Sequence, residues 1–425
     1  MLPFKVSEMA DIHDSLGIHG RIASRASQSG VGFNNLETPT IHGKNCFQGA
    51  GNALDELAKS GGEGRAIWRF ALQSAARQLL PREGVATCMR GVRPREGHYD
   101  VSVLYAPVGQ IGHFGGLQIC RSVWMCPVCA AKISEKRRDE LAGALRLWTD
   151  TYQNEARRLL LVTFTLQHER ADNLSDVLGA LKVARRRLVS GRESRVFNET
   201  YGCIGTIRSL EITYGANGWH PHLHVLMFFD REVPILPFTA AIKARWSECV
   251  AAAGGYASWL HGCDVRFSDK DIAEYIAKWG KEPKWTVSHE MTKGVAKAGR
   301  TGGSTPMQLL ADYWSGDRVA GRLWLQYAVN LKGERQLWWS HGLRDRLGLG
   351  EEKTDEELAE EQEEIAIVLA SLSYGTWRVV LANDARGELL EAAGTGDAGK
   401  VKALLLKLGI LGSLERDEFE GEVKG

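Results

Sequence analysis

The chain has 425 residues, 53 Lys and Arg against 52 Asp and Glu, a formal net charge of +1 and 44% hydrophobic residues. That length allows about two to three domains, and the composition is that of a soluble globular protein. No run of about 18 apolar residues occurs, which excludes a membrane-spanning helix. Met1 to Ser15 mixes acidic and basic side chains without an apolar segment, so no secretory signal is expected. Eight cysteines then suit a reducing cytoplasm, with metal ligation or free thiols favoured over disulfides. Residues 351–425 hold 18 acidic and 8 basic side chains, a net −10, so the first 350 residues carry +11. A basic body suits a polyanionic partner.

Residues 1–60 mix Gly, Ser, Asn and charges with little periodicity and are expected to be flexible. Ile67, Phe70, Ala71, Ala75 and Leu79 have helical spacing, so a helix is expected over Arg65–Leu80, ended by Pro81. Cys126-Pro127-Val128-Cys129 has the spacing of a zinc knuckle. Cys120 lies six residues earlier and Cys88 further upstream. Four thiolates close a tetrahedral zinc site, with His113 competing with Cys88 for the fourth position. A helix over Ala130–Trp148 follows. Its basic start, Lys132, Lys136, Arg137 and Arg138, is either a solvated face or a phosphate-contacting one. A strand over Arg158–Gln167 and a helix over Asn173–Val189 come next, with Arg185, Arg186 and Arg187 where cations suit the helix dipole.

The most informative stretch is Gly218-Trp219-His220-Pro221-His222-Leu223-His224-Val225-Leu226-Met227-Phe228-Phe229. It reads as a strand, so His220, His222 and His224 share one face. Neighbours on a face are about 7 Å apart, and two such imidazoles can share a divalent cation. Ile207 to Tyr214 reads as the partner strand, and Gly215-Ala216-Asn217-Gly218 suits a tight hairpin. If Tyr214 pairs with Trp219, then Glu211 lies opposite His222 on the same face. Glu plus two His is a mixed nitrogen and oxygen set suited to Mg²⁺ or Mn²⁺.

A helix over Phe238–Ala252 and a short strand over Cys263–Phe267 follow. Asp269 or Ser268 caps a further helix ending near Gly280. Tyr275 and Lys278 are three apart on it and share a face. A tyrosine facing a metal site is a candidate nucleophile, and the lysine can neutralise a developing phosphorane or lower the phenol's pKa. The order β-α-β-β-α-β is that of a split βαβ, ferredoxin-like domain. Residues 283–308 read as an exposed loop. Tyr313, Trp314, Trp324, Tyr327, Trp338 and Trp339 suit the core of a helical subdomain better than base stacking. Glu351–Ile367 reads as an acidic helix, and residues 374–408 as a short β segment (Thr376–Leu381) followed by a helix.

The histidine motif with its Trp219 and Pro221 flanks, followed by Tyr275-Ile276-Ala277-Lys278, resembles the motif pair of HUH endonucleases. More narrowly, it is similar to rolling-circle plasmid replication initiators. Val162-Thr163-Phe164-Thr165-Leu166 resembles the first motif of that family. Trp124 to Ile133 resembles its cysteine segment, and Gln336 to Arg344 a downstream one. Together these span roughly Cys88 to Leu349. The resemblance implies an α+β chain with an antiparallel ferredoxin-like HUH nuclease core, a cysteine-rich zinc-binding segment before it and helical segments after it. It implies His222, His224 and Glu211 as ligands of Mg²⁺ or Mn²⁺, Tyr275 as nucleophile and Lys278 as its charge partner. Cys88, Cys120, Cys126 and Cys129 would hold a structural Zn²⁺. The partners implied are single-stranded or hairpin origin DNA, host helicase and host polymerase, and no membrane. Some relatives set a glutamate four residues before a tyrosine. The matching pair here is Tyr275 and Trp279, and an indole is no nucleophile, so no glutamate-assisted step is expected. A transposase or mobilisation relaxase, or a non-catalytic zinc-stabilised DNA-binding protein, are the other readings. The expected divisions are 1–60 (flexible), 61–150 (helical, cysteine-rich, DNA-contacting), 151–290 (nuclease core), 291–350 (aromatic extension) and 351–425 (acidic).

Overall fold

A computed structural model describes residues 64–94, 99–152, 158–266, 303–361, 365–410 and 423–424. The fold is α+β, built on two antiparallel sheets. The described residues begin with α1 (Arg65–Leu79), then a hairpin of β1 (Val101–Ala106) and β2 (Ile111–Gly115), then the long helix α2 (Pro127–Tyr152). Next come β3 (Leu159–Phe164), α3 (Leu174–Leu188), α4 (Gly191–Tyr201), the long hairpin β4 (Cys203–Gly215) and β5 (Gly218–Phe229), α5 (Ile235–Ala251) and β6 (Cys263–Arg266). After residue 302 follow α6 (Pro306–Trp314), α7 (Arg318–Asn330), β7 (Leu337–Trp339), α8 (Leu343–Arg346) and α9 (Asp355–Glu360). The C-terminal elements are β8 (Ala366–Leu372), α10 (Tyr374–Ala382), α11 (Arg386–Gly394), α12 (Ala398–Lys407) and β9 (Val423–Lys424).

The larger sheet has the order β6-β3-β5-β4-β7. One face is covered by α3 and α5, where Leu160, Val162, Phe164, Leu223, Met227 and Phe229 meet Val177, Leu181, Phe238, Ile242 and Trp246. On the other face Leu161, Leu226 and Phe228 meet Leu141, Leu145 and Trp148 of α2. Residues 222, 224, 226 and 228 alternate onto one side of β5. The face carrying His222 and His224 is therefore the one that α2 seals at Leu226 and Phe228. Beyond Leu226 the strand is buried on both sides, which is why its sequence there is continuously apolar.

The smaller sheet has the order β9-β8-β1-β2, so strands from residues 101–115 and from residues 366–424, far apart in sequence, meet in it. Its presence corrects two expectations. The acidic stretch 351–367 is not one helix: α9 spans only Asp355–Glu360, and Ala366–Leu372 is a strand paired with β1. Glu356 and Glu360, and Glu357 and Glu361, would face each other one turn apart and oppose a longer helix. Thr354 forms a capping box with Glu357, which fixes where the short helix begins. Thr376–Leu381 is helix, not strand. Ser373 caps α10 by accepting from the Thr376 N–H, and Trp377 and Val380 turn into the core, so capping and packing override β propensity. Helix α4 was not foreseen. It follows a break at Ser190 and Gly191, the latter at φ 84°.

The aromatic extension is mostly core. Trp324, Tyr313, Tyr327 and Trp339 are buried, and the Arg208 guanidinium covers Trp338 at 4.6 Å. The basic start of α2 is not a free phosphate-binding face. Arg137, 4% exposed, pairs with Glu140 at 3.1 Å, Glu352 at 3.6 Å and Asp355 at 3.1 Å. Lys132 donates to the Ala359 and Glu361 carbonyls, Lys136 lies 3.6 Å from Glu361, and Arg138 pairs with Glu135 and Asp139. Residues 1–60, the Tyr275 helix and nearly all of the 283–308 loop lie outside the described residues.

Helix α11 approaches α1 backbone to backbone. A Cβ at Gly387 would come 2.3 Å from Ile67 Cα. Gly387→Ala must push the two helices apart. We expect a loss of about 1–3 kcal/mol, typical of overpacking, read as a lower urea midpoint with an unchanged m-value.

Candidate metal centres

The hairpin register places the first cluster. Gly215 pairs with Gly218, and Ala216-Asn217 closes the turn. Gly218 has φ 85°, and a Cβ there would lie 3.0 Å from Arg170 Cα, so glycine serves both the turn and the close approach. Tyr214 pairs with Trp219, as expected, and their rings meet edge to face at 5.1 Å. Counting on from that pair, Glu211 stands opposite His222 and Ser209 opposite His224.

Glu211, His222 and His224 converge, their ligand atoms all within 4.8 Å of one another. Glu211 Oε2 lies 2.7 Å from His224 Nε2 and 4.0 Å from His222 Nδ1. Thr163, opposite His224 on β3, hydrogen-bonds its Nδ1 at 3.0 Å. With a cation bound, a proton on Nδ1 donated to this hydroxyl would leave the Nε2 lone pair as a ligand; without one, an Nε2–H instead donates to Glu211 and Nδ1 accepts from the hydroxyl. Burial pushes the His222 imidazole down to about 4, helped by the neighbouring His220 and His224 rings. It is thus neutral, and able to ligate, at ordinary pH. The hydrogen bond from His224 holds the Glu211 carboxyl below its usual value. These three groups fit a hard divalent cation in donor type.

His220 shares the face, its ring 4.2 Å from that of His222. Its Nδ1 meets Nε2 of His168, whose Nδ1 contacts the Asn217 carbonyl at 2.9 Å. His168 was missed by the sequence reading. It lies past the end of β3, where no alternation ties it to the histidine motif. Only the path of the chain back toward the turn brings it there.

The second cluster is Cys88, Cys120, Cys126 and Cys129. Cys126 directly precedes α2, and Cys129 sits in its first turn. The sulfur separations are 3.5 Å for Cys88–Cys129 and 3.7 Å for both Cys120–Cys129 and Cys88–Cys126. Ligands 2.3 Å from a tetrahedral zinc lie about 3.8 Å apart, so the quartet is close to that geometry. Cys88 completes the group; His113 lies on β2 opposite Leu104. Burial opposes ionisation of Cys126, but sulfur contacts from Cys120, Cys129 and Cys88 outweigh it and hold that thiol well below its usual value. The Cys88 and Cys129 thiols are raised, first of all by their contacts with Cys120. One negative charge on the quartet therefore resists a second, and a bound dication would lift that limit. Tyr275 and Lys278 lie outside the described residues.

Residues 114–253 match the family model described as replication protein. That stretch, about a third of the chain, is similar to the replication-protein family. It contains Glu211, His222 and His224, and three of the four cysteines. Over 302 residues the chain is 28% identical to "Protein rep" of Streptomyces lividans, covering 55% of this chain and 64% of that one. Over 137 residues it is 32% identical to "Neomycin resistance protein" of Streptomyces cyanogenus, covering 26% of this chain and 30% of that one. It thus spans less than two thirds of either relative's length. No solved structure matches. The family match and the relative named "Protein rep" bear out the motifs' resemblance to rolling-circle replication initiators.

Two outcomes are expected for the Glu211, His222 and His224 cluster. Thr163→Val removes the hydroxyl that orients His224 and should weaken Mn²⁺ binding by about 10-fold or more, measured by calorimetric titration. In metal-free protein the folded site refuses a proton that the unfolded chain accepts near pH 6.5. The contribution of His222 to stability should therefore be complete above that pH. It should fall as the pH is lowered toward about 4, the folded value. Denaturation midpoints of wild type and His222→Gln should differ in slope across that window.

Proposed function

We propose that the chain is a plasmid rolling-circle replication initiator, a site-specific endonuclease and strand transferase acting on one DNA strand. The observation that carries this reading is the convergence of Glu211, His222 and His224 inside the segment that matches the replication-protein family. Topology supports it. Taking β3, β4, β5 and β6 as first to fourth strands, the order is β-α-β-β-α-β with one added helix, α4, in the first crossover, and the sheet order is fourth, first, third, second. This supports a split βαβ, ferredoxin-like HUH core.

In this reading Glu211, His222 and His224 hold Mg²⁺ or Mn²⁺, which when bound polarises a scissile phosphate as a Lewis acid. The strand enters as single-stranded or hairpin origin DNA. The Tyr275 phenol oxygen attacks phosphorus, the bond to the 3′ oxygen breaks, and that oxygen leaves as a 3′-OH. The 5′ side remains on Tyr275 as a phosphotyrosine ester. Lys278 stabilises negative charge as the new bond forms. The ester conserves the energy of the broken bond, so a later 3′-OH can reverse the step and reseal a strand. The released 3′-OH primes a host polymerase, with a host helicase opening the duplex, in the cytoplasm. Cys88, Cys120, Cys126 and Cys129 hold a structural Zn²⁺ that fixes the start of α2.

The test uses a single-stranded origin oligonucleotide with Mn²⁺. Wild type should give a protein–DNA adduct that survives a denaturing gel. Tyr275→Phe should give none. His224→Ala should slow adduct formation by about 10²–10³-fold, the loss of several kcal/mol of charge stabilisation. An adduct that persists in Tyr275→Phe moves the nucleophile to another tyrosine. Tight DNA binding without cleavage by any variant would replace this reading with that of a binding protein.

A further inference from the structure

The cysteine quartet draws part of its polar surroundings from segments outside the family-matched stretch. Gln73, on α1, is 1% exposed, and its Nε2 donates to Cys126 Sγ at 3.3 Å. Its Oε1 accepts from Arg386 Nη1 at 2.7 Å. Arg386, the first residue of α11, is fully buried. A guanidinium has donors only, so the amide must turn its oxygen toward Arg386. The NH₂ is then left facing the sulfur. Arg386 is itself pinned. Its Nη1 also donates to the Met89 carbonyl at 3.3 Å, one residue after Cys88. Its Nη2 donates to Asp384 Oδ1 at 3.1 Å and Ser74 Oγ at 3.4 Å, and the guanidinium lies 4.6 Å over the Phe70 ring.

We infer that Gln73 and Arg386 form a relay that holds a hydrogen-bond donor on Cys126 and so sets the quartet's affinity for a tetrahedral, thiophilic dication such as Zn²⁺. The inference rests on the quartet being a metal site. Four thiolates around a dication carry a formal −2, and buried charge is tolerated only where donors meet it. The Cys120 N–H, 3.4 Å from Cys88 Sγ, is one such donor. The Gln73 amide is another, and only its orientation makes it a donor rather than a repelling acceptor. Arg386 is thus a positioning residue acting through Gln73. It is also part of the C-terminal unit, which lies on the smaller sheet. Metal binding and docking of that unit become linked, because each favours the same arrangement of Gln73.

The test is a Co²⁺ titration of the full chain, followed through thiolate-to-metal absorption and then displaced with Zn²⁺, so that only the quartet is read. Gln73→Glu is nearly isosteric and can still pair with Arg386, but it turns an acceptor toward Cys126. It should weaken the metal by about 10- to 100-fold, the usual effect of losing an outer partner. Gln73→Met and Arg386→Lys should weaken it by smaller factors. Melting temperatures in excess chelator should match wild type for Gln73→Glu, with the deficit appearing only when metal is present. Wild-type affinity in Gln73→Glu, or an equal loss of melting temperature with and without metal, would overturn the relay and leave the metal site standing. A wild-type chain without thiolate absorption that Cys126→Ser removes would overturn the site and the relay together.

Discussion

The register of the β4–β5 hairpin is the constraint on which the Glu211, His222 and His224 cluster depends. Side chains on a strand alternate with a period of two, so a slip of one residue would turn Glu211 away from His222. The slip is opposed from both ends. At the turn, Gly218 adopts a left-handed conformation beside the Arg170 backbone, which leaves no room for a longer or shifted link. At the far end Phe228 and Phe229 are fully buried on opposite faces, and exchanging them would expose one core to the other's partners. The irregularity at Cys203/Gly205 falls beyond the site and does not disturb it. The turn sets the count and the two cores lock it. The position of the carboxylate over the imidazoles follows.

Helix α2 joins the two candidate metal centres mechanically. It has 26 residues, about 39 Å at 1.5 Å per residue. Its first turn carries Cys129, and later turns place Leu141, Leu145 and Trp148 on the sheet face that holds the histidines. The Trp148 and Phe228 rings meet edge to face at 5.0 Å. A helix clamped at one end by four sulfurs and at the other by an aromatic core transmits position, so the cysteine quartet bears on where the sheet face that carries His222 and His224 is covered.

Much of this was legible in the sequence because it is written in short-range patterns. Alternation gave the histidine face, the Gly-Ala-Asn-Gly link gave the turn, and the Tyr214–Trp219 pairing then gave Glu211. Cysteine spacing gave three candidate ligands and left the fourth open between Cys88 and His113, which only the fold decides, by bringing Cys88 to the other three sulfurs. The rest depends on contacts between distant residues. His168 joins the row of imidazoles only through the path of the chain after β3. The smaller sheet pairs Val101–Ala106 with Ala366–Leu372, so neither strand could be recognised from its own neighbourhood. The β-branched run at Thr376 misled for the complementary reason: local propensity pointed to strand, while Ser373 and the burial of Trp377 imposed a helix.

Charge is where composition misleads most. A +11 body beside a −10 tail invites the picture of a basic DNA-binding surface held apart from an acidic appendage. The structure instead folds part of the tail onto the body. Glu360 engages Arg93 and Arg121, Glu361 engages Lys136 and Lys353, and Arg137 is buried among Glu140, Glu352 and Asp355. The exposed pairs in this set are individually weak, about 0–1 kcal/mol each. The buried one is different, since removing one partner leaves a charge stranded in a poor solvent. Arg137 therefore serves to seat the acidic segment on α2 rather than to meet a phosphate. The field that a DNA strand would encounter is set by the cations left outside these pairs, and segment totals overstate it.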